Sequence, residues 1–304
     1  MTNKLLLDWA THIGAAVAAG TLLLTGCGKH DGGAAAGKKQ AIANIGSDTM
    51  VNLAIAWADA YSKVDSSVSV EVNGGGSGQG VAALINGSCE IANCSRKFEE
   101  KEIADFTAKH PGKQPKELMI GYDALSVFVH KDNPMTEISI EELQQMYAKD
   151  GKIAKWSDLG VSNIPGAKGD EIILVSRQNN SGTYHYFREA IVGKTNELRL
   201  GTVDMNGSKD VVDLISKTPN AIGYSGMGYA TPAVKHLRIS KKKGGKAVEP
   251  TIATTLDKTY PIARPMFMYT AGEPAPHIKK YLDWIISDPG QKIVEQTGYV
   301  PLPK

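Results

Sequence analysis

Apolar residues along 41–304 alternate between the two-residue period of strands and the three-to-four-residue period of helices. Strands are predicted at 41–45, 68–72, 91–92, 122–130, 171–175, 221–224 and 264–270. Helices are predicted at 50–64, 81–85, 140–147, 184–191 and 278–297. A hairpin is predicted over 236–249. The repeated order of strand, loop and helix is typical of a parallel sheet with right-handed crossovers, so the pattern predicts an α/β fold.

The amino terminus follows a different pattern, which predicts an export signal. The apolar run 13–24 is shorter than the roughly 20 residues that cross a bilayer, but it fits a signal-peptide core. It leads into Leu24-Thr25-Gly26-Cys27, which resembles the lipobox of bacterial lipoproteins, where the cysteine is lipidated. Residues 1–27 are therefore predicted to be a lipoprotein signal peptide with Cys27 as the lipidation site. A soluble secreted form is the alternative.

Residues 28–40 are rich in glycine, alanine and lysine and bury nothing, so they are predicted to be a flexible tether. The mature protein is then expected outside the cytoplasm, in the periplasm or on the cell surface. Its only attachment to a bacterial membrane would be the lipid anchor, because no later segment is apolar enough to cross a bilayer.

Composition narrows the class of protein. Hydrophobic residues make up 42% and charged residues 22% of the 304 residues, which excludes a disordered or fibrous chain. The 34 Lys and Arg against 32 Asp and Glu give a net charge of +2, which argues against a nucleic-acid partner or a polybasic membrane binder. The lysine-rich run 241–246 is interpreted as a solvated turn, because no aromatic residues interleave it.

Cys89 and Cys94 lie on either side of a predicted strand. Five strand steps separate Cα atoms by about 16 Å, whereas a disulfide requires less than about 7 Å. Two free, buried thiols are therefore expected, although an oxidising compartment would permit a bridge.

Three loops carry the candidate chemistry, and each opens a predicted helix. They are 47–49 (Ser-Asp-Thr), 77–78 (Ser-Gly) and 181–183 (Ser-Gly-Thr). Helix starts present unpaired N–H groups and a partial positive charge, which together bind anions. Arg177 precedes the third loop and can hold an oxyanion through two parallel hydrogen bonds. The loops therefore predict an anion-binding site.

Motifs for catalysis are not found in the sequence. The run 32–39 lacks the Ser or Thr of a P-loop, and neither Ser77 nor Ser225 lies in a G-x-S-x-G motif. The histidines show no spacing typical of a metal site. We therefore expect a protein that is not an enzyme, with no catalytic residue, cofactor or metal. A phosphatase-like hydrolase acting at the same anion site is the alternative from another class.

Eight segments in order resemble one family, the phosphate-binding proteins of bacterial phosphate ABC transporters, which are type II periplasmic binding proteins. The similarity covers essentially 41–304. The segments are 45–50 (IGSDTM), 73–81 (NGGGSGQGV), 90–96 (EIANCSR), 151–160 (GKIAKWSDLG), 176–184 (SRQNNSGTY), 218–224 (TPNAIGY), 260–265 (YPIARP) and 290–302 (GQKIVEQTGYVPL).

The resemblance implies a two-lobed (Venus-flytrap) α/β fold with two crossover strands. One lobe would comprise 41–123 and 264–304, and the other 124–263. Carried over by motif, the phosphate contacts from the first lobe are Thr49, Met50, Ser77 and Ser95. Those from the second are Arg177, Ser181, Gly182 and Thr183. A bound anion would bridge the lobes and stabilise a closed form that the permease recognises.

The resemblance further implies a monomer whose partners are inorganic phosphate and the permease subunits of an ABC transporter. A binding protein for another tetrahedral oxyanion, or a surface phosphate sensor without a transport role, are the alternatives. Ser95 departs from the family pattern, which has an Asp that accepts the phosphate proton and repels sulfate. Asp48 is interpreted either as a replacement acceptor or as a helix cap. Arg96 is interpreted either as added positive charge or as a solvent-facing residue.

Overall fold

The computed structural model describes residues 39–303. The predicted signal peptide, Cys27 and all but the end of the predicted tether lie outside the described residues. Within 39–303, no helix is both long enough and apolar enough to cross a membrane.

Where the sequence predicted a helix or strand, the described residues form one with similar bounds, except that the strand predicted at 122–130 begins at 116 and the helix predicted at 278–297 is divided. The helices at 100–109, 208–217 and 252–256 were not predicted. The strands are β1 (Gln40–Gly46), β2 (Val68–Asn73), β3 (Ile91–Cys94), β4 (Lys116–His130), β5 (Glu137–Ser139), β6 (Ile173–Arg177), β7 (Val203–Met205), β8 (Ala221–Gly226), β9 (Val234–His236), β10 (Arg238–Ser240) and β11 (Ala263–Thr270). The α-helices are α1 (Val51–Tyr61), α2 (Ser77–Asn86), α3 (Glu100–Lys109), α4 (Ile140–Tyr147), α5 (Gly182–Val192), α6 (Ser208–Lys217), α7 (Ile252–Leu256), α8 (Pro276–Ile285) and α9 (Asp288–Gln296). Short 3-10 helices lie at Asp48–Met50, Trp156–Leu159 and Met227–Tyr229.

One curled sheet runs through the described structure in the order β2-β1-β3-β11-β4-β8-β6-β7, and β9 pairs with β4. β1 is parallel to β2 and β3, and β6 is parallel to β7 and β8, as predicted for strands joined by helices. The prediction of a wholly parallel sheet is wrong at the centre. There β11 is antiparallel to β3 and β4, and β4 is antiparallel to β8.

The long strand β4 belongs to both halves of this sheet. Its residues 116–124 pair with β11, and its residues 125–130 pair with β8 and β9. The change of partner falls next to the predicted lobe boundary at 123/124. The division into lobes of 41–123 with 264–304 and of 124–263 stays a prediction.

Three clusters of buried apolar side chains support the sheet. One contains only residues from 124–263 and includes the buried Trp156. A second packs α2 and α3 against β3 and β11. The third contains Trp57 of α1 and extends to α6, α8 and α9. The strands that lead into the candidate loops are therefore packed against buried apolar side chains.

Two segments near the carboxyl terminus differ from the sequence prediction. The predicted helix 278–297 is two helices, α8 and α9, because Pro289 lies in the first turn of α9 and cannot continue α8. The predicted hairpin 236–249 is reduced to one antiparallel pair, Ile239 with Val248, while β10 pairs in parallel with β5.

Cys89 and Cys94 are both free and buried, which confirms the prediction for these two residues. Burial raises the pKa of the Cys89 thiol to about 12 and raises the pKa of the Cys94 thiol still further above its ordinary value. Both thiols are therefore protonated at neutral pH.

Candidate functional site

Four helix starts meet near the carboxyl ends of strands of the sheet. The 3-10 helix Asp48–Met50 leads into α1, α2 begins at Ser77, α5 begins at Gly182, and α6 begins at Ser208. The loops before them follow β1, β2, β6 and β7. Helix starts and the carboxyl ends of parallel strands are both preferred places for anionic ligands.

Hydroxyl groups from distant parts of the chain meet in the interior. Thr49 Oγ1 lies 2.6 Å from Thr183 Oγ1 and 3.4 Å from Ser208 Oγ. All three side chains are buried. Each hydroxyl can donate one hydrogen and accept two, so the group can turn its donors toward a common ligand.

A second pair of hydroxyls lies beside the start of α5. Ser77 Oγ lies 3.3 Å from Ser95 Oγ and accepts a hydrogen bond of 3.1 Å from the Ser95 amide. A Cβ added at Gly182 would lie 2.3 Å from Ser77 Oγ and 2.6 Å from Ser95 Oγ. Only glycine therefore allows the start of α5 to approach these two hydroxyls.

Two hydrogen bonds join the glycine-rich segment around the start of α2 to the loop before α5. The Gly78 amide donates to the Asn180 carbonyl at 3.0 Å. In return, Asn180 Nδ2 donates to the Gly75 carbonyl at 2.8 Å. These bonds hold the two loops together at one edge of the site.

Arg177 brings a buried positive charge to the same place. Its Nη1 donates to Ser208 Oγ at 2.9 Å, and its Nη2 donates to Asp48 Oδ2 at 3.0 Å and to the Asn206 carbonyl at 2.8 Å. Its Nε is buried and has no hydrogen-bond partner among the described residues. Burial lowers the pKa of the Arg177 guanidinium, while the Asp48 carboxylate acts in the opposite direction. The free Nε–H is a donor available to an anion.

Asp48 is not the helix cap, and its interpretation as a replacement acceptor for the phosphate proton stays a prediction. Ser47 is the residue at the N-cap, so the interpretation of Asp48 as the cap is wrong. Asp48 Oδ1 instead accepts a hydrogen bond of 2.8 Å from the Gly75 amide, while Oδ2 pairs with Arg177. Both carboxylate oxygens are thus engaged with the protein, and the carboxylate locks the glycine-rich loop to the guanidinium.

Two buried tyrosines hold the loop that carries Thr49. The Tyr229 hydroxyl donates to the Asp48 carbonyl at 2.6 Å, and the Tyr299 hydroxyl donates to the Thr49 carbonyl. Burial raises the pKa of both phenols, so both remain protonated donors at neutral pH. These two bonds fix the backbone of the loop, and the Thr49 hydroxyl lies against the hydroxyls of Thr183 and Ser208.

A second buried ion pair, which the sequence reasoning missed, lies under the hydroxyls. Arg264 Nη2 donates to Asp123 Oδ2 at 2.9 Å, and the two side chains are 1% and 0% exposed. Arg264 Nη2 also lies 2.9 Å from Thr183 Oγ1 and 3.3 Å from Thr49 Oγ1. The sequence did contain two signs of this pair. Asp123 lies inside an apolar strand, and Arg264 lies in the segment 260–265 (YPIARP). A charged residue among apolar neighbours requires a partner of opposite charge.

The structure brings most of the predicted phosphate contacts together, but Ser181 and Met50 have other contacts. Thr49 contacts Thr183, Ser77 contacts Ser95, and Gly182 lies against the two serines. Arg177 reaches Thr49 through Ser208. The Ser181 hydroxyl accepts from the amides of Thr183 and Tyr184 and so caps α5. The Met50 side chain lies in the apolar core, and its amide donates to the Ser47 carbonyl at 2.9 Å.

Ser208 was also missed by sequence reasoning. No helix was predicted at 208–217, although Val211, Val212 and Ile215 have helical spacing and are buried in α6. That spacing, preceded by Gly207, was the signal for a fourth helix start at the site.

A cleft of about 750 Å³ borders one edge of this site. Ser95 and Arg264 lie in its lining, together with residues of the loop 96–99, of the start of α3 and of α5. Arg96 lines the cleft and forms two hydrogen bonds of 2.7 Å with Glu102, and its side chain is 11% exposed. The interpretation of Arg96 as solvent-facing is therefore wrong, and its interpretation as added positive charge stays a prediction.

His185 lines the same cleft and is the histidine nearest the predicted loop. Its Nε2 lies 2.7 Å from the Asn179 carbonyl, and its Nδ1 lies 3.5 Å from Glu99. Burial lowers its pKa. Within residues 39–303, no group of His, Cys, Asp and Glu is arranged to hold a metal ion.

A family model described as the PBP superfamily domain matches residues 33–289. The chain therefore belongs to the PBP superfamily. The matched range includes all the helix starts and both ion pairs of the candidate site.

Two curated relatives and one solved structure show the closer similarity. The phosphate-binding protein PstS of Pseudomonas aeruginosa is 32% identical over 279 residues, which cover 88% of this chain and 85% of that protein. Protein SphX of Synechococcus elongatus is 31% identical over 271 residues, which cover 85% of this chain and 76% of that protein. A solved structure from Clostridium perfringens, assigned as a phosphate ABC transporter substrate-binding protein and holding bound phosphate, has a TM-score of 0.77 and 27% identity. The match covers 87% of this chain and all of that one.

These matches confirm the predicted α/β fold class of type II periplasmic binding proteins and the resemblance to phosphate-binding proteins. The relatives named above as PstS and as a substrate-binding protein carry names of binding proteins and not of enzymes.

Proposed function

We propose that this chain is an extracytoplasmic substrate-binding protein that captures inorganic phosphate at the buried hydroxyl cluster and delivers it to an ABC permease. The observation that carries the proposal is the meeting of hydroxyls from three separate helix starts with Arg177, whose Nε–H is buried and unpartnered among the described residues. The relatives support phosphate as the anion.

Each predicted contact has a proposed role. Thr49, Ser77, Ser95 and Thr183 donate hydroxyl hydrogens, and Arg177 donates from Nε. Gly182 allows the close approach. Ser181 organises the start of α5 by capping it, and Met50 shapes the loop that carries Thr49 through the bond from its amide to the Ser47 carbonyl. Because a hydrogen bond to a charged group contributes about 1.5–3 kcal/mol, several such donors suffice for micromolar affinity after the costs of ordering and desolvation.

Charge pairing determines how the anion would be held. Arg177 is paired with Asp48, and Arg264 is paired with Asp123, so the charges of these four groups cancel. The bound anion is then stabilised mainly by oriented N–H and O–H donors and by the partial positive charges of helix starts. Ser95 accepts a phosphate proton only weakly, which leaves the rejection of sulfate to the nearby carboxylate of Asp48.

Delivery and location complete the proposal. The anion would bridge the part of the chain that carries Thr49, Ser77 and Ser95 and the part that carries Arg177 and Thr183. It would thereby stabilise a closed form for recognition by the permease. The protein would act as a monomer outside the cytoplasm, held to the membrane through Cys27.

Calorimetric titration with phosphate and with sulfate tests this function. The unaltered protein is expected to bind phosphate at micromolar or lower concentration and sulfate at least fivefold more weakly. Arg177→Ala is expected to weaken phosphate binding at least 100-fold. The matched control is Arg238→Ala, since Arg238 is exposed and pairs with Glu137 away from the site. Equal binding of sulfate, or no binding of phosphate by the unaltered protein, would contradict the proposal.

A further inference from the structure

All three guanidinium nitrogens of Arg264 donate hydrogen bonds to protein groups that surround the site. Its Nε donates to Asp123 Oδ2 at 3.2 Å. Its Nη1 donates to the carbonyls of Ser95 and Gly182 at 3.1 and 3.2 Å. Its Nη2 contacts Asp123 Oδ2 and the hydroxyls of Thr49 and Thr183. An arginine has five N–H donors, and these six contacts occupy all of them, with one Nη2 hydrogen shared between two acceptors. Arg264 therefore has no donor left for an anion.

The contacts instead determine which way the threonine hydroxyls point. An oxygen that accepts a hydrogen bond from Nη2 cannot turn its own hydrogen toward Nη2. The hydrogens of Thr49 and Thr183 must then point away from Arg264. In the structure the two oxygens lie 2.6 Å apart, so one donates to the other. An anion that lies beside both oxygens and replaces this bond would receive both hydrogens.

The same guanidinium joins both sides of the predicted cleft. Ser95 and Thr49 belong to the proposed first lobe, whereas Gly182 and Thr183 belong to the proposed second lobe. All four contacts form together only when the two sides are in register. A planar group with fixed donor directions suits this geometry, and a lysine ammonium does not reproduce it.

Asp123 and Tyr186 hold the guanidinium in this plane. Asp123 Oδ2 accepts from Nε and Nη2, and Asp123 Oδ1 accepts from the Met227 amide at 3.1 Å. The Tyr186 ring covers the guanidinium, with 5.4 Å between the ring centroid and Cζ of Arg264. The orientation of Arg264 is therefore set before any ligand arrives.

We propose that Arg264 is a positioning residue of the anion site, which orients the hydroxyls of Thr49 and Thr183 as donors and couples the two sides without touching the anion. This inference rests on the proposed function. It separates the two buried arginines by role: Arg177 keeps a free donor and acts as a ligand, and Arg264 acts through the threonines.

The test is a double-variant cycle read by calorimetric phosphate titration. Arg264→Lys is expected to weaken phosphate binding at least tenfold in the otherwise unaltered protein. In the Thr49→Val/Thr183→Val background the same substitution is expected to cost less than threefold, because no hydroxyl is left to orient. In a Thr49→Ser/Thr183→Ser background, which keeps the hydroxyls, the tenfold loss is expected to return.

Arg199→Lys is the matched control, because Arg199 also donates to backbone carbonyls, those of Gly151 and Ile153, but lies outside the site. It is expected to change phosphate affinity less than twofold. An equal loss on Arg264→Lys in the threonine and valine backgrounds overturns the proposal, since a purely structural role predicts that result. Unchanged affinity in Arg264→Lys overturns it as well.

Thermal unfolding is recorded for every variant. If Arg264→Lys does not fold, the neutral pair Asp123→Asn/Arg264→Gln takes its place in the cycle with the same expectations. If neither folds even in saturating phosphate, Arg264 is a structural residue and the proposal is overturned. Failure of the unaltered protein to bind phosphate is a separate result, which refutes the proposed function itself.

Discussion

Asp48 and Arg177 are 129 residues apart in sequence and are joined by a hydrogen bond of 3.0 Å. The Arg177 side chain is fully buried, and that of Asp48 is 16% exposed. The bond links the start of the first helix to the loop before α5, across the proposed cleft. It also places a negative charge beside the proposed anion, which has consequences for selectivity.

Asp48→Asn is expected to weaken the discrimination between phosphate and sulfate. At an effective dielectric constant of about 20 and a separation of about 7 Å, one charge repels another by about 2 kcal/mol. Removing the carboxylate relieves one more unit of this repulsion for the sulfate dianion than for the phosphate monoanion, so the ratio of sulfate affinity to phosphate affinity is expected to rise about 30-fold. Competition calorimetry at pH 6 measures both anions. Asp283→Asn, on the exposed face of α8, is the control, and unchanged sulfate affinity in Asp48→Asn would refute this role.

Gly182→Ala is expected to block the close approach of α5 to the serine pair. The added Cβ would lie 2.3 Å from Ser77 Oγ, and overpacking of this kind costs about 1–3 kcal/mol. Phosphate affinity is expected to fall tenfold or more, and the rise in melting temperature caused by phosphate is expected to shrink. Ala104→Ser adds one atom to an exposed position of α3 and serves as control. Normal affinity in Gly182→Ala would show that the contact is not needed for binding.

Ser208→Ala is expected to reduce phosphate affinity about 10- to 100-fold. The Ser208 hydroxyl accepts from Arg177 and lies beside Thr49, and a hydrogen bond to a charged group contributes about 1.5–3 kcal/mol. Ser216→Ala, in the same helix, removes a hydroxyl that only contacts the Asp213 carbonyl and is expected to leave affinity unchanged. Calorimetric titration of both variants with phosphate measures the difference. Equal phosphate affinities in the two variants would show that Ser208 does not contribute to the site.

The two described thiols are expected to resist alkylation in the folded protein. Burial raises the pKa of Cys89 to about 12, so at pH 8 its thiolate is roughly a thousandfold scarcer than that of an ordinary cysteine. Iodoacetamide labelling followed by peptide mapping should find Cys89 and Cys94 unmodified in the native state and modified after unfolding in guanidinium. Rapid labelling of either residue in the native protein would contradict the buried environment.

The same pKa shifts predict a loss of stability in alkali. A thiol or phenol whose pKa is raised on folding holds its proton longer in the folded state than in the unfolded state. Its contribution is complete below the unfolded pKa and is lost as the pH rises through the folded pKa. The free energy of unfolding is therefore expected to decline above about pH 9, where unfolded cysteine and then tyrosine ionise. Denaturant titrations from pH 7 to pH 11 test this, and Cys89→Ala should reduce the slope.

The fold and half of the site follow from local sequence patterns. β1 and α1 were predictable because apolar period and a helix-start motif lie next to each other, and the same holds for Ser181 and α5. The antiparallel placement of β11 was not predictable, since it depends on which strands the chain returns to after more than 100 intervening residues. The Arg264–Asp123 pair was missed for the same reason: its members are 141 residues apart, and no local pattern joins them.

Because β11 lies between β3 and β4, the sheet cannot be completed during synthesis until β11 has been made. β1, β2 and β3 leave the ribosome well before their inner neighbour, which is formed by residues 263–270. The nascent polypeptide therefore lacks the middle of its sheet while all the residues between β3 and β11 are translated. Export machinery that threads unfolded polypeptides would meet this chain in a form that it can still transport.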